Sequence, residues 1–138
     1  MLFEVTDKPL EPERLFHHVR QDAAGAVVLF YGVVRDNNLG RNVEYLEYEA
    51  YTEMATKVMT QLVGELREKW EITNVAIQHR TGRLEIGETS LLVAVSSPHR
   101  REAFEAGHWL VDRFKDVVPV WKKEVFEGGE EWIEGDRH

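Results

Sequence analysis

An apolar side chain recurs at every fourth position over a long central stretch of the chain, and this repeat constrains the fold more than any other feature. Spacing by four places side chains along one face of an α-helix, so the repeat predicts a long amphipathic helix. Thr52 is placed to cap its start, and Glu53 would interact favourably with the amides of its first turn. The residues that carry the repeat are Met54, Val58, Leu62, Leu66 and Trp70.

Two further helices are predicted on either side of this one. A short helix covers about residues 11–21. A second long helix covers about residues 98–118, with Ser97 as its N-cap, Pro98 at its first position and Pro119 as its end. The side chains expected to face inward from it are Phe104, Gly107, Leu110, Val111 and Phe114.

Apolar or alternating runs separated by turn residues predict six β-strands. Residues 35–42 are polar and rich in turn formers, so the first two strands are expected to form a hairpin. The last two are expected to form another hairpin across Gly128-Gly129, and residues 81–88 read as a turn-rich connection. This order predicts one α+β domain over residues 1–138, with a mixed or antiparallel sheet, two long helices and one short N-terminal helix. The predicted strands are residues 25–34, 43–50, 72–80, 89–97, 120–127 and 131–135.

The charge balance and the cysteine content exclude several classes of function. The chain has 138 residues and no cysteine, which excludes disulfides, zinc–thiolate sites and cysteine nucleophiles. Its formal net charge of -8 argues against non-specific nucleic-acid binding, which requires a basic surface. No apolar run approaches the length of a membrane span, and no signal-peptide pattern is seen, so a cytoplasmic protein without membrane contact is expected.

His99, Arg100 and Arg101 are predicted at the start of a helix, where cations are disfavoured. Free amides at a helix N-terminus bind anions, and added cations would strengthen such a site for a phosphate. The surrounding segment, residues 98–123, holds six Lys or Arg against four Asp or Glu in an otherwise acidic chain. The cluster is therefore either an anion site or a solvated turn whose arginines are screened by neighbouring glutamates.

Lys115, Lys122 and Arg35 are the other candidate site residues. The two lysines lie on either side of the predicted end of the second long helix, and each has a structural explanation, since cations are favoured at helix C-termini and on exposed strands. In a pocket beside Trp121, desolvation would favour the neutral form of Lys122 and make it a usable acid or base. Arg35 opens the loop after a buried strand, a common position for site residues, or it pairs with Asp36.

Several long motifs are similar to those of one known family. In chain order they are FYGVVRDNNLG at residues 30–40, YEAYTEMA at 48–55, HRTGRLEIGE at 79–88, a continuous stretch at 95–124, and GGEEWIEG at 128–135. On these motifs the chain resembles the large, catalytic subunit of molybdopterin synthase.

The resemblance implies a reaction and an assembly. Such sulfurtransferases of molybdenum cofactor biosynthesis convert cyclic pyranopterin monophosphate, called precursor Z, into the dithiolene molybdopterin. The sulfur comes from a thiocarboxylate on the C-terminal Gly of a small ubiquitin-like subunit, within a heterotetramer built on a homodimer of large subunits. No cofactor and no metal are expected, because the six histidines lack metal-ligand spacing and the common catalytic motifs are absent.

The same resemblance implies roles for single residues. Lys115 and Lys122 match the family's catalytic lysines, whereas Arg35, His99 and Arg100 match residues that anchor the substrate. His99 and Arg100 are expected to come from the neighbouring large subunit. Two other functions stay open: a non-catalytic dimeric module that binds a phosphorylated metabolite, and a structural partner of a small acidic protein. The full predicted substrate-binding set is Val33, Val34, Arg35, His99, Arg100, Lys115, Lys122, Lys123 and Glu124.

Overall fold

Within residues 1–134, which the computed structural model describes, the chain forms three helices and nine strands. The helices are α1 (Pro12–Val19), α2 (Thr52–Lys69) and α3 (Arg100–Val117). The strands are β1 (Leu2–Thr6), β2 (Ala26–Val33), β3 (Asn37–Asn38), β4 (Arg41–Ala50), β5 (Asn74–Arg80), β6 (Gly82–Glu85), β7 (Thr89–Ser97), β8 (Val120–Phe126) and β9 (Gly129–Glu134). Gly135, the predicted end of the last strand, lies outside the described residues.

The described strands form two sheets. The first has the order β1-β5-β7-β2, with β1 parallel to β5 and the other pairs antiparallel. The second has the order β3-β4-β8-β9. Strand β3 pairs with the start of β4, and β6 pairs with residues 45–48 of β4. The predicted α+β class, with a mixed sheet, two long helices and a short N-terminal one, is confirmed. The closing hairpin of β8 and β9 is confirmed as well.

The predicted hairpin between the strands at 25–34 and 43–50 is wrong. β2 pairs with β7, whereas β4 pairs with β8 and β6. β2 is apolar along its whole length and lies in the sheet that helices cover on both faces, while β4 alternates and has a polar face. Between them β3 forms a short hairpin with the start of β4, and this hairpin carries the chain into the second sheet.

The central strands of the first sheet, β5 and β7, are buried on both faces. α1 covers one face, where Leu15 and Val19 pack against Ala76, Leu92 and Ala94. α2 and α3 cover the other face and form the larger core. None of the three helices in the described part of the chain has both the length and the apolar composition that a membrane crossing requires. The large core includes Met59, Leu66, Ile77, Val93, Val95, Leu110 and Phe114.

The predicted N-caps of both long helices are wrong. α3 begins at Arg100 with His99 as its N-cap, so Pro98 is not its first helical residue. Ser97 is instead the last residue of β7, where its hydroxyl donates to the Glu71 carbonyl at 2.8 Å. Because Ser97 is paired in β7, α3 can begin only after the chain has left the sheet. In α2, the predicted cap Thr52 is itself the first helical residue.

Two side chains that the repeats place inward lie on the surface. Phe104 of α3 is 63% exposed, and Met54 of α2 is 55% exposed. The buried face of α3 contains small residues, which allow close packing against the sheet. Phe104 lies beside this buried face and not on it. The buried residues of α3 are Ala103, Ala106, Gly107, Leu110, Val111 and Phe114.

Candidate active site

A polar cavity of about 280 Å³ opens where the ends of β2 and α3 meet the paired strands β4 and β8. The sequence brings these elements together because β8 follows α3 directly and pairs with β4 along most of its length. The cavity therefore draws on residues far apart in the chain. It is lined by Phe30, Tyr31, Gly32, Val33, Val34, Arg35, Asn37, Asn38, Val43, Leu46, Tyr48, Ser90, Lys115, Lys122 and Glu124.

Lys122 enters the cavity from β8 and is only 4% exposed. Because side chains alternate along a strand, the next residue points to the other face. Lys123 there lies 2.9 Å from Glu47 and 3.7 Å from Glu130, and it does not line the cavity. The hydrogen bond that the Lys123 ammonium donates to Glu47 raises the pKa of Lys123. The structure therefore separates Lys123 from the predicted substrate-binding residues that line this cavity.

Lys115 enters the same cavity from the last turn of α3. Its ammonium lies 5.6 Å from the centre of the Phe30 ring, which belongs to the apolar part of the wall. A cation is favoured in this turn because the free carbonyls of a helix C-terminus carry partial negative charge. The structure thus brings together the two lysines that the resemblance identifies as catalytic, on adjacent elements joined by a short connection.

Glu124 and Asn38 form a buried polar pair in the wall. The Asn38 amide donates to Glu124 Oε1 at 2.6 Å, and the two residues are 6% and 3% exposed. Asn38 was not predicted as a site residue, although it lies in the quoted FYGVVRDNNLG motif. Glu124 was predicted, and its place two residues after Lys122 puts both side chains on the same face of β8.

Tyr48 and Ser90 are two further cavity residues that the sequence analysis missed. Tyr48 lies opposite Lys122 in the ladder between β4 and β8. Its ring meets the buried His79 ring edge-on at 5.0 Å, and His79 stacks on Phe114 at 5.8 Å. This packed row of rings supports the wall beside Lys115. Tyr48 begins the quoted YEAYTEMA motif and Ser90 lies outside the quoted motifs, but neither was singled out, because their place in the cavity depends on strand pairing.

Arg35 lies at the mouth of the cavity with its side chain exposed. Val34, which precedes it, is buried, and the Val34 amide donates to the Glu88 carbonyl at 2.9 Å. On the other side, the Asp36 carbonyl accepts from the Val43 amide at 2.8 Å. The backbone is therefore held on both sides of Arg35, while its guanidinium faces the solvent near the two lysines.

His99 and Arg100 line a second, more open cavity of about 410 Å³ together with Gly25, Pro98 and Arg101. The backbones approach closely here, since a Cβ on Gly25 would lie 2.5 Å from the Pro98 carbonyl oxygen. Within one chain, this cavity shares no lining residue with the lysine cavity.

Arg101 differs from its neighbours in being paired. It lies 2.9 Å from Glu105, which also accepts from the Trp70 indole at 3.0 Å. These two hydrogen bonds, that from Arg101 first, lower the pKa of Glu105. Of the two alternatives for the basic cluster at 99–101, an anion site or a turn screened by glutamates, the second therefore describes Arg101.

The fold is of the α+β class, and its cavity combines two lysines with an arginine and a buried carboxyl group. The sequence model described as MoaE protein matches residues 5–117, and the chain belongs to this family. The resemblance to the large, catalytic subunit of molybdopterin synthase is confirmed by relatives that carry this name.

Individual relatives agree with this assignment. A molybdopterin synthase catalytic subunit from Bacillus subtilis (strain 168) is 46% identical over 135 residues, covering 98% of this chain and 85% of that protein. One from Pyrococcus abyssi (strain GE5 / Orsay) is 55% identical over 120 residues, covering 87% and 81%. The crystal structure of molybdopterin synthase from Staphylococcus aureus matches with a TM-score of 0.90 at 42% identity, over 95% of this chain and 96% of that one.

Proposed function

We propose that this chain performs the reaction of molybdopterin synthase catalytic subunits, the conversion of cyclic pyranopterin monophosphate into the dithiolene molybdopterin. The observation that carries the proposal is the meeting of Lys115, Lys122 and Arg35 at one cavity. This arrangement offers an anchor for an anionic substrate and two groups that can exchange protons. Relatives at 46% and 55% identity are named as catalytic subunits of this enzyme.

The chemistry requires a sulfur nucleophile that the chain does not contain, since it has no cysteine. We propose that a thiocarboxylate on the C-terminal Gly of a small ubiquitin-like partner supplies it. Its sulfur forms a bond to a pterin side-chain carbon as a C–O bond to that carbon breaks. Water then cleaves the acyl–sulfur bond, leaving a carboxylate on the partner and a thiol on the product. Two such cycles give the dithiolene.

The two lysines can donate protons and stabilise negative charge in these steps. The oxygen that departs from carbon needs a proton, which a lysine ammonium can donate. The acyl carbon bears a developing oxyanion when water attacks it, which a nearby ammonium stabilises. Lys122 is the more buried of the two lysines, and electrostatic interactions are stronger where water is excluded. Glu124, on the same face of β8, adds a carboxyl group to the same cavity.

Binding of the substrate phosphate involves Arg35 and, we propose, His99 and Arg100 of a second copy of the chain. Within one chain the latter two line a separate cavity. An apolar groove of about 240 Å³ between β2 and α3 is lined in part by Phe104 and by Phe30, which also lines the lysine cavity. A second copy that covers this groove would bring its own basic residues towards the lysines next to it.

One experiment tests the proposed function against its alternatives. The purified chain is mixed with precursor and with a partner that ends in a Gly-Gly thiocarboxylate, and the dithiolene product is assayed. Product formation supports the proposal. Precursor binding without product would instead identify a phosphate-binding module, and complex formation without precursor binding would identify a structural partner.

A further inference from the structure

The residue before Arg35 is held by a turn and not by the sheet. The ladder between β2 and β7 shifts register after Gly32, whose carbonyl accepts from the Ser90 hydroxyl at 3.1 Å. Beyond this shift, the Val34 amide donates to the Glu88 carbonyl at 2.9 Å, and the Val34 carbonyl accepts from the Gly87 amide at 2.9 Å. The turn at residues 85–88 therefore fixes the backbone at the mouth of the lysine cavity.

This 85–88 turn is closed by the side chain of Glu88. One carboxylate oxygen accepts from the Glu85 amide at 2.7 Å, and the other accepts from Arg80 Nη1 at 2.7 Å. Gly87 has a φ of 87°, the left-handed conformation that favours glycine. The hydrogen bonds from the Glu85 amide and then from Arg80 lower the pKa of Glu88. Arg80 ends β5, so the ion pair fastens the turn to a central strand of the first sheet.

We propose that Arg80 and Glu88 are positioning residues for Arg35. They act through the 85–88 turn, which holds the Val34 backbone and so determines where the next side chain meets the substrate. The inference rests on the proposed function, which assigns Arg35 to substrate binding. Neither Arg80 nor Glu88 lines the cavity, and neither belongs to the predicted site.

The proposal predicts a particular kinetic signature. Loosening the turn increases the conformational freedom of Arg35 and so lowers the affinity for an anionic substrate. It leaves Lys115 and Lys122 in place, because α3 and β8 hold them independently of the turn. We therefore expect a raised KM with a retained kcat, since the interaction lost is one made with the bound substrate.

The test compares Glu88→Ala, which removes both acceptors, with Glu88→Gln, which keeps an oxygen for the Glu85 amide. The matched control is Glu4→Ala, which breaks the ion pair with Arg14 on α1, among residues that do not line the cavity. Hydrogen exchange at the Val34 amide and precursor affinity by calorimetry are measured for each variant, with and without Arg35→Ala.

In Glu88→Ala we expect exchange at Val34 to accelerate on the order of tenfold and precursor affinity to fall by a similar factor. Glu88→Gln should fall between this variant and the wild type, and Glu4→Ala should match the wild type. In the Arg35→Ala background, Glu88→Ala should lower affinity no further. Unchanged exchange at Val34, or an equal loss of affinity without Arg35, would overturn the proposal. If wild-type protein binds no precursor, the proposed function fails, while the exchange measurement still decides whether Glu88 holds Val34.

Discussion

Lys122 and Lys123 are neighbours in the chain, yet their side chains lie on opposite faces of β8. Lys122 is buried in the cavity opposite Tyr48, whereas Lys123 pairs with Glu47 at 2.9 Å. The pleat of the strand therefore separates two chemically identical side chains into different environments. Lys123 can therefore serve as the control in experiments that replace the buried Lys122.

Replacement of Lys122 by alanine is expected to abolish most dithiolene formation. Loss of a group that exchanges a proton in the transition state costs roughly 10²- to 10⁴-fold in rate. Turnover is measured with a thiocarboxylated partner, and thermal unfolding checks that the fold survives. Lys123→Ala is the matched control and should keep near-normal turnover. Similar turnover in Lys122→Ala and Lys123→Ala would contradict the assignment of Lys122.

Arg100→Ala is expected to weaken precursor binding by roughly 10- to 100-fold, the loss of a hydrogen bond to a charged group. Calorimetry with the precursor measures this change. Arg101→Ala is the control, because the Arg101 side chain is already paired with Glu105 and should contribute little. Equal losses in the two variants would show that the cluster acts only through its general positive charge.

At a precursor concentration too low to saturate Arg100→Ala, mixed dimers of Lys122→Ala and Arg100→Ala chains are expected to recover activity that each variant alone largely lacks. If Arg100 reaches the site of the other chain, one of the two sites in a mixed dimer combines an intact Lys122 with an intact Arg100. The measurement is turnover after co-expression with distinct tags and purification on both. A mixed dimer as inactive as its parents would place both residues in the site of a single chain.

Gly25→Ala is expected to disturb the cavity that contains His99 and Arg100. The added Cβ would lie 2.5 Å from the Pro98 carbonyl oxygen, so the backbone must shift, which costs about 1–3 kcal/mol of unfolding free energy. Denaturant unfolding and precursor calorimetry should both show a loss. Gly64→Ala in α2 is the control. A Cβ added there would have no other part of the protein within 4 Å beyond its own helix, and stability should rise by about 0.5–1 kcal/mol.

The contribution of Glu88 to stability is expected to depend on pH. The pKa of Glu88 is lowered in the folded chain from its ordinary value of 4.5. A lowered pKa means that the carboxylate stabilises the fold above the unfolded value, and that this contribution is lost as pH falls through the folded one. The stability difference between wild type and Glu88→Gln should thus be largest near neutral pH and shrink below about pH 4.5. Glu65→Gln, on an exposed part of α2, is the control, and a difference that does not change with pH would contradict the prediction.

Local patterns in the sequence predicted the helices and strands better than they predicted which strands pair with each other. The apolar runs at 25–34 and 89–97 are strands β2 and β7, and both long helical repeats are helices. The short strands β1, β3 and β6 were missed, since each exists through its pairing with a strand distant in the sequence or through a tight turn. Their sequences alone are too short to show periodicity.

The candidate site follows the same division. Motif resemblance identified Arg35, Lys115 and Lys122, and the structure brings all three to one cavity. Motif resemblance did not single out Asn38 and Tyr48, although both lie within the quoted motifs, and it did not reach Ser90. All three line the cavity because of strand register. Phe104 shows the same limit for the core, because a helical repeat identifies an apolar face but not its centre.

The sequence by itself determined the three helices and six of the nine described strands, the absence of thiol chemistry, and the two lysines that motif resemblance singles out. These properties depend on residues close together in the chain. Only the tertiary structure decided that β2 and β4 belong to different sheets, that Lys122 and Lys123 face apart, and that His99 and Arg100 lie away from the lysines. Strand pairing and burial are decided by hydrogen-bonding edges and packing surfaces that come from distant residues, and no local pattern encodes them.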